Sequence, residues 1–227
     1  MVFPAFNEED GIAVAVPDFG GIDAVDEVVV VDNNSRDLTA QRAEAAGARV
    51  VREQRQGYGN ALRRGLAEAH GEYVVLAEPD GTFMGKDVLK LLAFADDFDL
   101  VLGTRTTREL IWHGANMGWQ LRWGNWVVAK LLQVLFGGPS LSDCGCTLRL
   151  IRRSAVDRLL PRFTVGGAHF LPEMVCLALL DRLRLVEVPV NYRDRVGESK
   201  ITGSMQTALR VGMRMVGLIL RYRLFRR

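Results

Sequence analysis

An apolar run, Val74-Val75-Leu76-Ala77, stops abruptly at Glu78-Pro79-Asp80-Gly81. In an α/β sheet the carboxyl end of a strand faces the ligand crevice, so Glu78 and Asp80 are expected to project to where small molecules bind. Two carboxylates on a loop leaving a strand suit a hard divalent cation that clamps a diphosphate. The plain alternative is a strand ending in a polar turn, for which acidic residues and glycine are common. A second set of candidates lies late in the chain, where Arg195, Ser199 and Lys200 flank Gly197. Two cations and a hydroxyl match the oxygens of a phosphate, although an exposed basic loop before a helix would read the same way. Arg149, with Asp143 nearby, could serve an acceptor phosphate or hold its own loop by an ion pair. Glu173 is the candidate general base for a hydroxyl acceptor, or else an acid favoured by the dipole in the first turn of its helix.

The elements that must position these groups alternate. Val28 to Val31, Arg49 to Arg52, Tyr73 to Ala77 and Leu100 to Gly103 are short apolar runs expected as strands. Between them, Asp37 to Ala46, Asn60 to His70 and Asp87 to Phe94 have helical composition, the first two closed by Gly47 and Gly71. Continuous apolar strands between helices imply a parallel sheet covered on both faces. In the second half, Thr147 to Ile151 and Arg184 to Val190 are expected strands, with a helix from Leu171 to Arg182 between them. Gly118 to Phe136 carries Trp119, Trp123 and Trp126 at roughly helical spacing. Aromatic stripes usually pack inward, so this is expected as a core helix ahead of a lipid-contacting surface.

At 227 residues with a net charge of +2, the chain suits one α/β domain with an appendage and carries no general excess for a polyanion, so no nucleic-acid partner is expected. The distribution is less even than the total. No acidic residue follows Glu198, whereas Lys200, Arg210, Arg214, Arg221, Arg223, Arg226 and Arg227 are basic. Cys144 and Cys146 are too close for an easy disulfide and Cys176 is left over, which fits a reducing cytosol. No signal peptide is visible. Only Met1-Val2-Phe3 precede Pro4, so the first strand is expected to be unusually short, with either its true start upstream or the edge of the base pocket reduced.

Read together, Pro4-Ala5-Phe6-Asn7-Glu8-Glu9, Val30-Val31-Asp32-Asn33-Asn34-Ser35, Gly57-Tyr58-Gly59-Asn60-Ala61 and Glu78-Pro79-Asp80 resemble the successive landmarks of family-2 glycosyltransferases. Gly103-Thr104-Arg105, the stretch Asp143 to Arg149, and Val188 to Ile201 resemble the branch that includes dolichol-phosphate mannosyltransferase. The resemblance implies a GT-A fold, Rossmann-like with a mostly parallel central sheet flanked by helices. It further implies a UDP- or GDP-sugar donor, a divalent cation (Mg2+ or Mn2+) and an inverting transfer, often onto a polyprenyl phosphate. By the same resemblance Pro4, Ala5, Glu8, Asp32 and Asn34 would hold the base and ribose, with Gly57 and Asn60 beside the donor. Glu78 and Asp80 would hold the metal, Glu78 standing where the family usually has Asp. Arg195, Ser199 and Lys200 would fold over the diphosphate, with Asp80, Arg195 and Lys200 as the catalytic set. Arg105, Asp143, Arg149 and Glu173 would face the acceptor. Two alternatives stand beside the lipid acceptor: a glycan or small-molecule hydroxyl, and a non-catalytic module that binds nucleotide sugar.

Gly203 to Phe225 reads as one helix rich in apolar residues and interrupted by arginines. Its uninterrupted apolar stretch, Met215 to Leu220, is far shorter than the ~20 residues a membrane span requires. The expectation is a catalytic domain over 1–201 and a basic amphipathic helix over 202–227 that lies on the cytosolic face of the membrane. A helix docked on the domain, or in a dimer interface, is the competing reading.

Overall fold

The computed structural model describes residues 1–115, 118–196 and 205–225. Seven strands form one sheet: β1 (Val2–Ala5), β2 (Val29–Asp32), β3 (Arg49–Arg52), β4 (Tyr73–Leu76), β5 (Leu100–Thr104), β6 (Arg149–Arg152) and β7 (Leu185–Pro189). Their spatial order is β3-β2-β1-β4-β6-β5-β7. The neighbours of β1 and β2 pair in parallel, as does β5 with β7. Each strand expected from sequence is present within two residues of its expected bounds. The first strand has four residues, as do β2, β3, β4 and β6, so it is not short for this sheet.

One strand departs from the parallel expectation. β6 runs antiparallel to both β4 and β5. Its start, rather than its end, therefore lies at the edge where β1, β2 and β4 finish. The loop that precedes β6 is delivered to the crevice, which is where residues 143–147 become relevant.

Alternating side chains divide the strands between two cores. Val2, Val29, Val31, Val74, Leu76, Leu100, Leu102 and Ile151 point to one face. There they pack against α3 (Tyr58–Glu68), α5 (Trp119–Phe136), α6 (Arg153–Leu159), α7 (Phe170–Leu180) and α8 (Met205–Phe225). Phe3, Ala5, Val30, Val75, Val101, Leu150 and Val188 point to the other. That face is covered by α1 (Glu9–Gly20), α2 (Thr39–Ala45) and α4 (Asp87–Leu92). Burying each such aliphatic side chain is worth ~1.5–3 kcal/mol, which holds the strand ends in fixed register.

Two helices were not anticipated. α1 buries Ile12, Ala15, Val16 and Phe19, a spacing that sits on one helical face, but Pro17 and two glycines obscure it. α6 is only seven residues long. A third difference concerns α5, whose inward face is Val128, Ala129 and Leu132, all buried, whereas its three tryptophans point outward. The expectation of an inward aromatic stripe is therefore corrected: small and aliphatic residues fill the narrow space against α7 and α8. α8 packs on the domain through Leu218, Ile219 and Tyr222 and exposes Leu209, Met213, Leu220, Leu224 and Phe225. Among the described residues, no helix is long and apolar enough to cross a membrane.

Candidate active site

Parallel register brings three strand ends together, with Ala5 beside Asp32 and Asp32 beside Arg52. The loops leaving β1, β2 and β4 form a cleft of about 180 Å3 lined by Pro4, Ala5, Glu8, Asn33, Gln56 and Tyr58, and closed by Glu78, Pro79 and Arg195. Pro4, Ala5 and Glu8, the residues expected to form the donor wall, line this cleft. Asp32, at the end of β2 beside Ala5, is buried, and its Oδ1 accepts the Ser35 N–H at 3.0 Å. Asn33 ties the β2 and β3 loops together: its Nδ2 donates to the carbonyls of Glu53 and Arg55, and its Oδ1 accepts the Gly57 N–H. Asn34 takes a left-handed backbone (φ 66°) and donates to the Gln54 carbonyl and Gln56. Gly57 and Asn60 lie against residue 166 rather than in the cleft. A Cβ on Gly57 would meet the Gly166 carbonyl at 2.3 Å, so the close approach that requires glycine is to the chain itself.

The acidic pair sits directly after β4. Asp80 is buried; its Oδ1 accepts the Thr82 N–H and hydroxyl at 3.0 and 2.6 Å, which fixes the turn. Its Oδ2 accepts from Arg195 Nε at 2.7 Å, and Arg195 also approaches Glu78 Oε2 at 3.7 Å. Glu78 is positioned by register: Leu76 pairs with Arg149, so the residue two beyond Leu76 faces the residue two before Arg149, Thr147. Thr147 Oγ1 donates to Glu78 Oε1 at 3.1 Å, and the Tyr58 hydroxyl lies 2.6 Å from Thr147 Oγ1. Burial, then the neighbouring Asp80 charge, push the Glu78 carboxyl up to about 7. Burial opposes the charge on Arg195, but Asp80 and Glu78 outweigh it and raise its pKa. Two adjacent carboxylates drawing a cation between them fit a hard divalent ion. Among the described residues no three His, Cys, Asp or Glu side chains converge, so the remaining ligands would be phosphate oxygens. α1 fixes this loop from behind: a Cβ on Gly11 would lie 2.3 Å from the Pro79 carbonyl oxygen.

Of the four residues expected at the acceptor, Arg105 is partly exposed, whereas Asp143, Arg149 and Glu173 are fully buried. Arg105 pairs with buried Asp143 through Nε at 2.8 Å and Nη2 at 3.0 Å, with its guanidinium 5.2 Å from the Tyr192 ring centroid. Asp143, Arg149 and Glu173 are corrected by their burial, since none is exposed at all. Arg149 donates to the carbonyls of Cys144, Cys146 and Leu171, so its charge holds the 144–147 loop rather than a ligand. Glu173 accepts from the Thr164 N–H and hydroxyl, the Val165 N–H and the Tyr222 hydroxyl, leaving it committed to the chain. Ser199 and Lys200, with Gly197 and Glu198, lie outside the described residues. Tyr58, Thr147 and Asn33 border this cleft or the cavity next to it although none is among the residues expected at the site. All three lie inside the motifs that carry the family resemblance, and only the antiparallel register of β6 reveals why Thr147 matters.

A second cavity of about 520 Å3 opens between α5 and α8. Val127, Val128, Leu171, Met213, Met215 and Val216 give it an apolar lining, and its inner end is walled by Tyr58, Glu78, Arg105, Thr147 and Arg195. Tyr58, Glu78 and Arg195 border both spaces, so the cleft and the cavity meet at Glu78.

A mixed, mostly parallel sheet of this order, with a carboxylate pair at the end of a central strand, defines a GT-A fold. The likeness to solved structures agrees. Glucosyl-3-phosphoglycerate synthase from Mycobacterium tuberculosis, solved with Mn2+, UDP and glucosyl-3-phosphoglycerate, aligns with a TM-score of 0.72 at 22% identity, over 98% of this chain and 78% of that one. The same synthase with Mn2+, UDP-glucose and phosphoglyceric acid aligns at 0.74 and 23% identity, with the same coverage. The chain belongs to glycosyl transferase family 2, whose model matches residues 1–160, and it is a glycosyltransferase. It is 31% identical over 204 residues to a dolichyl-phosphate hexose transferase of Haloferax volcanii, covering 88% of this chain and 85% of that protein. It is 34% identical over 212 residues to an uncharacterized glycosyltransferase of Mycobacterium tuberculosis, covering 92% of each. It is also 30% identical over 207 residues to a low-salt glycan biosynthesis hexosyltransferase of Haloferax volcanii, covering 88% of this chain; that alignment spans about half (49%) of the relative's length.

Proposed function

We propose that this enzyme transfers a sugar from a UDP- or GDP-sugar to a polyprenyl phosphate at the cytosolic membrane face, with inversion at the anomeric carbon. The observation that carries the reading is the meeting, at Glu78, Arg195 and Tyr58, of the cleft at the strand ends with a larger apolar cavity between α5 and α8. The cleft suits a nucleotide diphosphate. The cavity, lined by aliphatic side chains, suits an isoprenoid tail better than a small anionic acceptor.

The phosphate of such an acceptor is ionised at neutral pH, so its oxygen is already a nucleophile and no general base has to be found. Attack on the anomeric carbon breaks the bond to the diphosphate, and the electron pair leaves with the diphosphate oxygen. Arg195 stands at the junction and would neutralise that charge. Arg105, anchored by Asp143, would hold the incoming phosphate at the inner end of the cavity. Tyr58 and Thr147 keep Glu78 oriented toward Asp80. A divalent cation held by Glu78 and Asp80, Mg2+ or Mn2+, would supply further charge neutralisation on the leaving diphosphate. Ser199 and Lys200 remain part of the proposed diphosphate grip, and Asp80, Arg195 and Lys200 the proposed catalytic set. The part beyond residue 201 is proposed to attach the catalytic domain to the membrane surface.

The test is transfer of radiolabelled sugar from a panel of UDP and GDP donors, with manganese or magnesium, into solvent-extractable polyprenyl phosphate. Label in the lipid phase that disappears on chelation supports the proposal. Label in a glycan or small-molecule hydroxyl with none in lipid would overturn the acceptor assignment.

A further inference from the structure

We propose that the outer face of α5, separately from α8, is a docking surface for a bilayer carrying anionic phospholipid headgroups. Trp119, Trp123 and Trp126 follow one another at helical spacing and are 70%, 60% and 42% exposed; Val127 and Val134 extend the apolar strip. Trp123 and Trp126 contact each other with ring centroids 5.4 Å apart, and among the described residues nothing buries the three indoles. An indole has an apolar body and a polar N–H, which suits the boundary between hydrocarbon and water.

The cations lie where headgroups would be. Arg108 and Arg122 line, together with Thr106 and the three indoles, a groove of about 360 Å3 on this face. Lys130 sits 5.9 Å over the Trp126 ring. α5 contains no acidic residue, and neither does α8 alongside it, where Arg210, Arg214, Arg221 and Arg223 add to the same sign. Glu109, beside Arg108, is the acid near this edge. With Glu109 set against Arg108, Arg122 and Lys130, the face is net positive, which is complementary to an anionic membrane and repels a second copy of itself. Amphipathic helices with tryptophan and basic residues lie in membrane interfaces by this combination.

Trp123 borders both this groove and the apolar cavity that opens between α5 and α8. A bilayer seated on α5 would therefore be continuous with the cavity mouth, and a lipid could enter without crossing water. That consequence rests on the acceptor proposed above, whereas the docking itself does not.

The experiment is co-sedimentation of the full chain with phosphatidylcholine vesicles, with and without phosphatidylglycerol, in the absence of donor and acceptor. Binding to the anionic vesicles alone, weakened by salt and accompanied by a blue shift of tryptophan emission, is expected. Arg108→Gln with Arg122→Gln should weaken binding about twenty-fivefold, at about fivefold per surface cation. Trp119→Ser with Trp126→Ser should abolish most of the blue shift, and Trp119→Ser alone, at the most exposed of the three indoles, should diminish it without disturbing the fold. Full vesicle affinity in both double variants would overturn the proposal, as would a concentration-dependent dimer that the serine variant abolishes. Because no sugar transfer is measured, failure here is distinct from failure of the lipid-acceptor assay.

Discussion

Glu173 offers the sharpest contrast between a residue that acts on substrate and one that holds the fold. Its carboxylate is fully buried and accepts from four donors, including Tyr222 of α8 at 2.7 Å. Tyr222→Phe removes one hydrogen bond to a charged group and leaves the ring packing in place, a loss of ~1.5–3 kcal/mol. For a chain of this size, ~2 kcal/mol corresponds to a fall in Tm of about 4–8 °C. Glu173→Ala strands the Thr164 and Val165 N–H groups and two hydroxyls in the interior, and should cost ~3–5 kcal/mol, a large part of a typical domain's stability. The two changes share one interaction, so the double variant should be less destabilised than the sum of the singles. Urea and thermal unfolding measure these losses, with sugar transfer assayed well below each variant's Tm. A Glu173→Gln variant that keeps wild-type stability but loses turnover would refute the reasoning and return Glu173 to the role of general base.

Other perturbations address the site itself. Gly11→Ala should force the Glu78–Asp80 loop away from α1 at a cost of ~1–3 kcal/mol, lowering both Mn2+ affinity and turnover; unchanged values in both would show the loop position to be unimportant. Arg195→Gln removes the cation that now occupies the acidic pair, so Mn2+ should bind more tightly without donor, by about tenfold for each ~1.4 kcal/mol released, while donor affinity falls. Electron paramagnetic resonance of free Mn2+ and donor titration calorimetry would separate the two effects, and weaker Mn2+ binding would contradict the assignment. Asp80→Ala should abolish transfer, and residual turnover at wild-type level would remove Asp80 from the metal site. Burial pushes the Cys144 and Cys146 thiols up to about 12 and raises that of Cys176 as well, so none should react with a disulfide reagent at pH 8 until denaturant is added.

The strands were legible because β-branched runs between helices leave few other structures, and Asp80 was legible because a carboxylate ends such a run. What escaped was set by pairing. Nothing local in Thr147-Leu148-Arg149 indicates that β6 runs backwards, yet that reversal places Thr147 against Glu78 and turns Arg149 into the anchor of its own loop. The glycine at position 57 was legible as a close approach but not as an approach to residue 166, because its partner is distant in the chain. The tryptophans of α5 illustrate the opposite failure. Their spacing identifies one helical face correctly, but periodicity alone cannot say whether that face looks at the core or at a lipid surface. Val128, Ala129 and Leu132 decide it, since they occupy the narrow inward side and leave the indoles no room there. Orientation follows from which face is small enough to fit against α7 and α8, and the larger apolar residues are left for whatever lies outside.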